Sequence, residues 1–323
     1  MVFIELGVLL FSILVLSRSS EMVISSSVRL SRFFNLNPVA MGFLLVAVAT
    51  SLPELSVSVT SSLAGEGAIS AGNVFGSNIA NILIVLGIGG LLYGMKISQS
   101  NMKDIALVLL LTTIISVYII YRSSVSLQAL GIIEGAVLIL LFLGYVWWTL
   151  KMKKQSNGNS KSNVPKKKAL HAFLSFSMGI FLVIISSAFA VDSAVTIATS
   201  LGLAQSFIGA TLIALGTSLP ELSTALQAVR KKQYGLVLGN VVGSNMANIT
   251  LVLGVASTIN PISVQLPVFI VALLFAVIGN TLLFYSAAVN KAIGKFAGVV
   301  FILVYVVYIA AIFGLQATEV SLI

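Results

Sequence analysis

The chain has no cysteine, a single histidine (His171), and charge on only 8% of its 323 residues. Without cysteine there is no disulfide framework and no thiolate ligand, and the redox compartment is left open. So little charge cannot cover the surface of a water-soluble protein of this length. What fills the chain is apolar: 58% of it is hydrophobic. Crossing the hydrocarbon as a helix takes roughly 20 apolar residues. Ten segments meet this: 2–17 (extending toward 32), 39–61, 68–92, 104–121, 127–150, 170–198, 207–229, 235–258, 264–285 and 293–314. These runs are too long and continuous for a transmembrane β-barrel, whose strands are short and alternate. The expected fold is an all-α membrane protein. The start, Met1-Val2-Phe3-Ile4-Glu5, lacks the basic region of a secretory signal and reads as a retained first helix.

The net charge of +9 does not imply nucleic acid. With five spans on each side of the polar segment 151–168, the loops alternate sides. If that segment is cytoplasmic, both termini lie outside. Every Lys and Arg except Arg122 then falls toward the inner face, as the positive-inside rule requires. The basic balance is therefore topology, with some attraction to anionic lipid. Residues 151–168, with Gln155-Ser156-Asn157-Gly158-Asn159-Ser160 at their centre, read as a flexible linker.

The linker separates two copies of one unit, 1–150 and 169–323. At a constant offset of 167, residues 38–87 align with 205–254 without a gap, and 22 of the 50 positions are identical. Thr-Ser-Leu-Pro-Glu-Leu-Ser at 50–56 recurs at 217–223. Gly72-Asn73-Val74, Gly76-Ser77-Asn78 and Ala80-Asn81-Ile82 recur at 239–241, 243–245 and 247–249. An odd number of spans per copy inverts the second copy relative to the first, giving two inverted five-helix repeats. Inverted repeats interrupted by Gly and Pro at membrane depth mark a secondary transporter. Duplication for packing alone would repeat apolar faces, not polar and charged residues.

Pro53 and Pro220 lie mid-span. Each lacks an N–H and disturbs the helix four residues back, at Ala49 and Gly216. Carbonyls freed there are costly in hydrocarbon unless something satisfies them, and a cation does so well at a half-helix C-terminus. Glu54 and Glu221 follow the prolines directly, and no Lys or Arg lies within 42–61 or 209–229. Two carboxylates related by the repeat can hold one divalent ion, several sodium ions or protons. Oxygens of Thr50, Ser51, Thr217, Ser218, Ser77, Ser244, Asn81 and Asn248 suit hard cations such as calcium and sodium. The GxxxG spacings at Gly72–Gly76 and Gly239–Gly243 read first as close helix packing. They also let Ser77 and Asn81, and Ser244 and Asn248, share a face near the carboxylates.

At these residues the chain resembles the sodium/calcium exchanger branch of the calcium/cation antiporter superfamily. The hallmark repeats stand here as Ala49-Thr50-Ser51-Leu52-Pro53-Glu54 with Gly72-Asn73-Val74-Phe75-Gly76-Ser77-Asn78. The second copy is Gly216-Thr217-Ser218-Leu219-Pro220-Glu221 with Gly239-Asn240-Val241-Val242-Gly243-Ser244-Asn245. The resemblance implies four short helices around the ions and two long tilted helices that slide to switch access. It implies calcium held by Glu54, Glu221 and the carbonyls of Thr50 and Thr217. It also implies one sodium site from Ala47, Thr50, Ser51, Glu54 and Ser244, and its mate from Ala214, Thr217, Ser218, Glu221 and Ser77. A central site would involve Glu54, Asn81, Glu221 and Asn248. The family exchanges sodium for calcium. Ala49 departs from the usual Gly, and Asn248, where many relatives carry Asp, argues against potassium co-transport. The short linker leaves no room for a calcium-sensing domain, as in prokaryotic members.

The residues alone also admit a proton/calcium antiporter or a cation channel. Nothing points to an enzyme, a cofactor or a protein partner; the ions and the lipid bilayer are the expected partners of a chain expected to be monomeric in the plasma membrane. Arg18 and Glu21 are read as a local ion pair, Asp192 as near the outer surface, Glu134 as structural at a helix end, and His171 as interfacial. Trp147 and Trp148 before Lys151 read as an interfacial anchor.

Overall fold

A computed structural model describes residues 2–65, 67–98, 102–125, 130–152, 165–200, 214–262 and 266–320. The helices in chain order are α1 (Val2–Phe34), α2 (Pro38–Thr50), α3 (Leu52–Leu63), α4 (Gly67–Tyr93), α5 (Met102–Val125) and α6 (Ile132–Met152). They continue as α7 (Lys166–Ser200), α8 (Ala214–Thr217), α9 (Leu219–Arg230), α10 (Tyr234–Ile259), α11 (Leu266–Tyr285) and α12 (Lys295–Val320). Among the described residues, eight helices are each long and apolar enough to cross a membrane, and α2 with α3 makes a ninth. The expected span 207–229 is described only from 214 onward, as α8 and α9. Helix α1 runs through the whole extended range to Phe34. Helix α7 begins at Lys166, inside the segment expected to be linker; residues 153–164 lie outside the described residues.

The chain folds into two compact units, and each takes chain from both halves of the sequence. The first comprises residues 1–50 and 146–243. Its frame is the lengthwise packing of α1 on α7, the two longest helices, of 33 and 35 residues. Gly179 permits this approach, since a Cβ there would stand 2.8 Å from Val23 Cγ2. Helix α2 is opened by Asn37, whose Oδ1 accepts from the Ala40 N–H at 2.8 Å, with Pro38 in the first turn. It lies backbone to backbone on the first part of α10. A Cβ on Gly42 would stand 2.6 Å from the Leu236 carbonyl oxygen, and one on Gly243 2.6 Å from Phe43 Cδ2. At Gly239 a Cβ would fall on the carbonyl oxygen of Val39.

The second unit comprises residues 51–145 and 244–323. Here α3 packs on the first turns of α4, α5 packs on α11, and α12 packs on the last turns of α4. Gly87 and Gly298 bring α4 and α12 together, a Cβ on Gly298 standing 2.5 Å from the Gly87 carbonyl oxygen. Two short strands, β1 (Met95–Lys96) and β2 (Ala292–Ile293), pair antiparallel with Met95 opposite Ile293. Phe75 and Phe269 meet edge to face at 4.9 Å.

The polarity is that of a lipid-solvated protein. Phe3, Phe11, Leu14, Phe173, Phe181, Phe189, Leu303 and Val306 are exposed, whereas Glu54, Glu221, Asn81 and Asn248 have no exposed surface at all. Asp192 and His171 are exposed. Glu134 accepts from the Gly131 N–H at 3.0 Å and from the Tyr118 hydroxyl at 2.8 Å, holding the start of α6. The Lys151 ammonium sits 4.8 Å over the Trp147 ring.

The backbone contact at Gly239 predicts that Gly239→Ala forces α2 and α10 apart. A loss of about 3 kcal/mol or more is expected, at the upper end of overpacking costs. A Cβ at Gly144 meets no atom within 4 Å, so Gly144→Ala should leave the melting temperature in detergent unchanged or slightly raised. Thermal unfolding of the two purified variants checks both.

Candidate ion-binding site

The 167-residue offset of the sequence is present in the backbone. Helices α3 and α9 each have 12 residues, with the proline in the first turn and the glutamate directly after it. The residue before each is a serine in a matched break, φ −82° and ψ 6° at Ser51, φ −88° and ψ 5° at Ser218. The breaks thus fall at Ser51 and Ser218, two residues closer to the prolines than Ala49 and Gly216. Proline sits at ease at the start of the new helix, where its missing N–H has no partner to lose. Gly216 instead allows close packing, since a Cβ there would stand 2.5 Å from Val191 Cγ2.

The matching continues in α4 and α10. Each runs α-helically for 14 residues, Gly67–Ala80 and Tyr234–Ala247. Each then passes into a π-helical turn, Asn81–Val85 and Asn248–Val252, in which the Leu86 and Leu253 N–H groups reach back to the Asn81 and Asn248 carbonyls. Such turns insert one residue into a helix and are frequent at functional sites.

In the second unit, Glu54 is fully buried, and its Oε1 accepts from the Ser77 hydroxyl at 3.4 Å. The family resemblance assigns Ser77 to the site of Glu221; the structure gives it a hydrogen bond to Glu54. Asn73 Nδ2 donates to the Glu54 carbonyl at 3.0 Å and to Ser58 Oγ at 2.9 Å, tying α3 to α4. Asn81 Nδ2 donates to Asn245 Oδ1, and Asn248 Nδ2 to Asn78 Oδ1, both at 3.1 Å. The Oδ1 atoms of Asn81 and Asn248 are buried and accept no hydrogen bond from the described residues. Buried carbonyl oxygens without donors are what a hard cation would use. Ser51 and Ser244 are buried in this unit as well.

In the first unit, a chain of hydrogen bonds runs beneath Glu221, itself fully buried. Thr50 Oγ1 donates to the Ala47 carbonyl and to Asn240 Oδ1, both at 3.3 Å. Asn240 Nδ2 donates to Thr224 Oγ1 at 3.1 Å. The Thr224 hydroxyl in turn donates to the Pro220 and Glu221 carbonyls at 2.8 and 3.1 Å. Ser218 Oγ is buried and has no hydrogen-bond partner among the described residues. Thr217 closes α8, and Ala214 is the first described residue of that helix. The candidate residues therefore fall into two groups: Ala47, Thr50, Ala214, Thr217, Ser218 and Glu221 in one unit, and Ser51, Glu54, Ser77, Asn81, Ser244 and Asn248 in the other.

Among the described residues, no three His, Cys, Asp or Glu side chains cluster as metal ligands. The donors on offer are amide, hydroxyl and backbone oxygens with one carboxylate in each unit. Sequence reasoning gave Asn73, Asn240, Asn78 and Asn245 no role, although all four belong to the repeated triplets. It also missed the partner of Glu21. Lys231 Nζ lies 3.2 Å from Glu21 Oε1 and donates to Ser25 Oγ at 2.7 Å, while Arg18 is 3.9 Å from Glu21. Lys231 is 210 residues away in sequence, and no local spacing marks it. Above it, Gln227 Nε2 donates to Ser17 Oγ at 3.0 Å, and Ser20 Oγ to Ser223 Oγ at 2.8 Å, a polar seam joining α1 to α9.

Comparison with known proteins agrees along almost the full chain. The family model described as sodium/calcium exchanger protein matches residues 4–151 and 171–314. An uncharacterised membrane protein of Methanocaldococcus jannaschii is 32% identical, over 97% of this chain and 99% of that protein. A sodium/calcium exchanger of Methanosarcina acetivorans is 27% identical, over 97% of this chain and 99% of that one. A structure of the sodium-calcium exchanger NCX_Mj, soaked with 10 mM Na+ and zero Ca2+, superposes with a TM-score of 0.82. It is 32% identical, covering 96% of this chain and 99% of its own.

The hydrogen-bond chain through Asn240 predicts that Asn240→Leu, of similar size, takes the donor from Thr224 Oγ1 and removes one of two acceptors from Thr50. A loss of about 1–3 kcal/mol is expected. Asn240→Asp, which keeps the acceptor for Thr50 but buries a carboxyl group without a cationic partner and also loses the donor to Thr224, should lose at least as much. Unfolding in detergent without added calcium or sodium checks the order.

Proposed function

The chain belongs to the sodium/calcium exchanger protein family, and on that premise we propose that it exchanges sodium for calcium across the membrane by alternating access. It is a multi-pass membrane transporter of cations, and its relatives are exchangers rather than enzymes. The observation that carries the finer reading is the matched pair of fully buried glutamates, each opening a short helix after a break at a serine. A charge at bilayer depth costs about 3 kcal/mol or more unless it is compensated. Glu54 and Glu221 correspond across the 167-residue repeat. Together they supply two formal negative charges, the number that one calcium ion neutralises. Asn81 and Asn248 add oxygen without adding charge.

In this reading Glu54, Glu221 and the Thr50 and Thr217 carbonyls hold calcium. Sodium uses Ala47, Thr50, Ser51, Glu54 and Ser244 on one side, and Ala214, Thr217, Ser218, Glu221 and Ser77 on the other, with Asn81 and Asn248 between. Sodium and calcium compete for overlapping oxygens, and occupancy neutralises the carboxylates so that the switch can occur. The two inverted halves, 1–150 and 169–323, supply the two sides of the exchange. The linker lies in the cytoplasm, both termini lie outside, and the protein works as a monomer in the plasma membrane.

Purified protein in sodium-loaded liposomes tests this. Calcium uptake should follow the outward sodium gradient and stop when that gradient is collapsed. Uptake that ignores sodium but stops when a pH gradient is collapsed would replace sodium by protons as the coupling ion. Glu54→Gln and Glu221→Gln should each abolish exchange while leaving the protein folded and monodisperse.

A further inference from the structure

The amides of Asn78, Asn81, Asn245 and Asn248 leave each other a single arrangement, all within one unit. Asn78 Nδ2 donates to the Asn245 backbone carbonyl at 3.3 Å, and Asn245 Nδ2 to the Asn78 backbone carbonyl at 3.2 Å. A backbone carbonyl can only accept. Each of these two side chains must therefore turn its nitrogen toward the other's main chain, which leaves its own Oδ1 as an acceptor. Asn248 and Asn81 meet those oxygens at 3.1 Å and so must present Nδ2 to them. The polarity of two backbone carbonyls thus sets the rotation of all four amides. Its consequence is that Oδ1 of Asn81 and of Asn248 points away from the network, buried and without a donor.

We propose that Asn78 and Asn245 are the positioning residues of the ion site, each fixing the amide contributed by the opposite repeat. Asn78 holds Asn248 with its oxygen available to a cation, and Asn245 does the same for Asn81. Neither positioning residue needs to touch the ion. The pairing is crossed between the repeats, so the residue that governs Asn248 is not its near neighbour Asn245. If either positioning amide is lost, its client can rotate and offer an NH2 group to the ion instead of an oxygen. This inference rests on the reading of Asn81 and Asn248 as cation ligands.

A double-mutant cycle on the full-length purified protein tests it, with equilibrium sodium binding as the readout and thermal unfolding without sodium as the folding control. Asn78→Ala should weaken sodium binding about 10- to 100-fold, the usual cost of removing the partner that orients a ligand. In an Asn248→Ala background the same change should cost less than about twofold, because the client is gone. In an Asn81→Ala background most of the penalty should remain, and Asn245→Ala should show the mirror pattern. Asn78→Ser and Asn245→Ser serve where an alanine variant does not fold. A purely structural role would lower the unfolding temperature without this crossed pattern. A full Asn78 penalty in the Asn248→Ala background, or no effect of Asn78→Ala on sodium, overturns the assignment. If Asn248→Ala and Asn81→Ala themselves leave sodium binding unchanged, the reading of the site fails, and the positioning role with it.

Discussion

A carboxylate held at the depth of the hydrocarbon must find its compensation in the chain around it, and Glu54 and Glu221 impose that demand on each unit. Hydrocarbon supplies no hydrogen bonds, so the nearby donors and acceptors have to come from the chain itself. Each glutamate follows a proline in the first turn of a short helix, where the helix N-terminus favours negative charge. Each short helix is fixed by an asparagine from the Gly-Asn-Val triplet: Asn73 bonds the Glu54 carbonyl directly, and Asn240 reaches the Glu221 carbonyl through Thr224. The carboxylates are thus mounted on rigid supports rather than carried on flexible loops.

Those supports need close packing. In the first unit, α2 and α10 approach until a Cβ at Gly42 or Gly239 would strike the facing backbone, and this is the contact that brings Thr50 within reach of Asn240. In the second, Gly87 and Gly298 do the same for α4 and α12. Lipid offers no hydrophobic drive for one apolar helix to bind another, so backbone proximity and buried amide bonds carry the association. The long helices α1 and α7 follow a different rule. Both show large apolar side chains outward, and α1 meets α9 along a seam of serines, Gln227 and the Glu21–Lys231 pair. Such polar contacts are individually weak where they are exposed.

Much of this was legible in the sequence, because a repeat of polar residues has few explanations in a membrane chain. The offset of 167 picked out Glu54, Ser77, Asn81 and their mates, and the same offset governs the serine breaks and the π-helical turns. What could not be read was anything fixed by contacts distant in sequence. Lys231 finds Glu21, Gly42 finds Gly239, and Asn78 finds Asn248 only once the chain is folded. Proline predicted a disturbed helix at Ala49 and Gly216, but the break lies at Ser51 and Ser218, because Pro53 and Pro220 begin new helices rather than bending old ones. Lys166–Lys168, expected in the linker, belong to α7, lysine being a good helix former.

The central claim is that two carboxylates from different repeats serve one cation. Anomalous diffraction from crystals soaked in strontium, a heavier stand-in for calcium, tests it most directly. The account predicts a peak with oxygen atoms of both Glu54 and Glu221 at about 2.3–2.6 Å, the range of calcium–oxygen bonds, lengthened slightly for the larger ion. A strontium peak bound to one glutamate alone, or to neither, would contradict it.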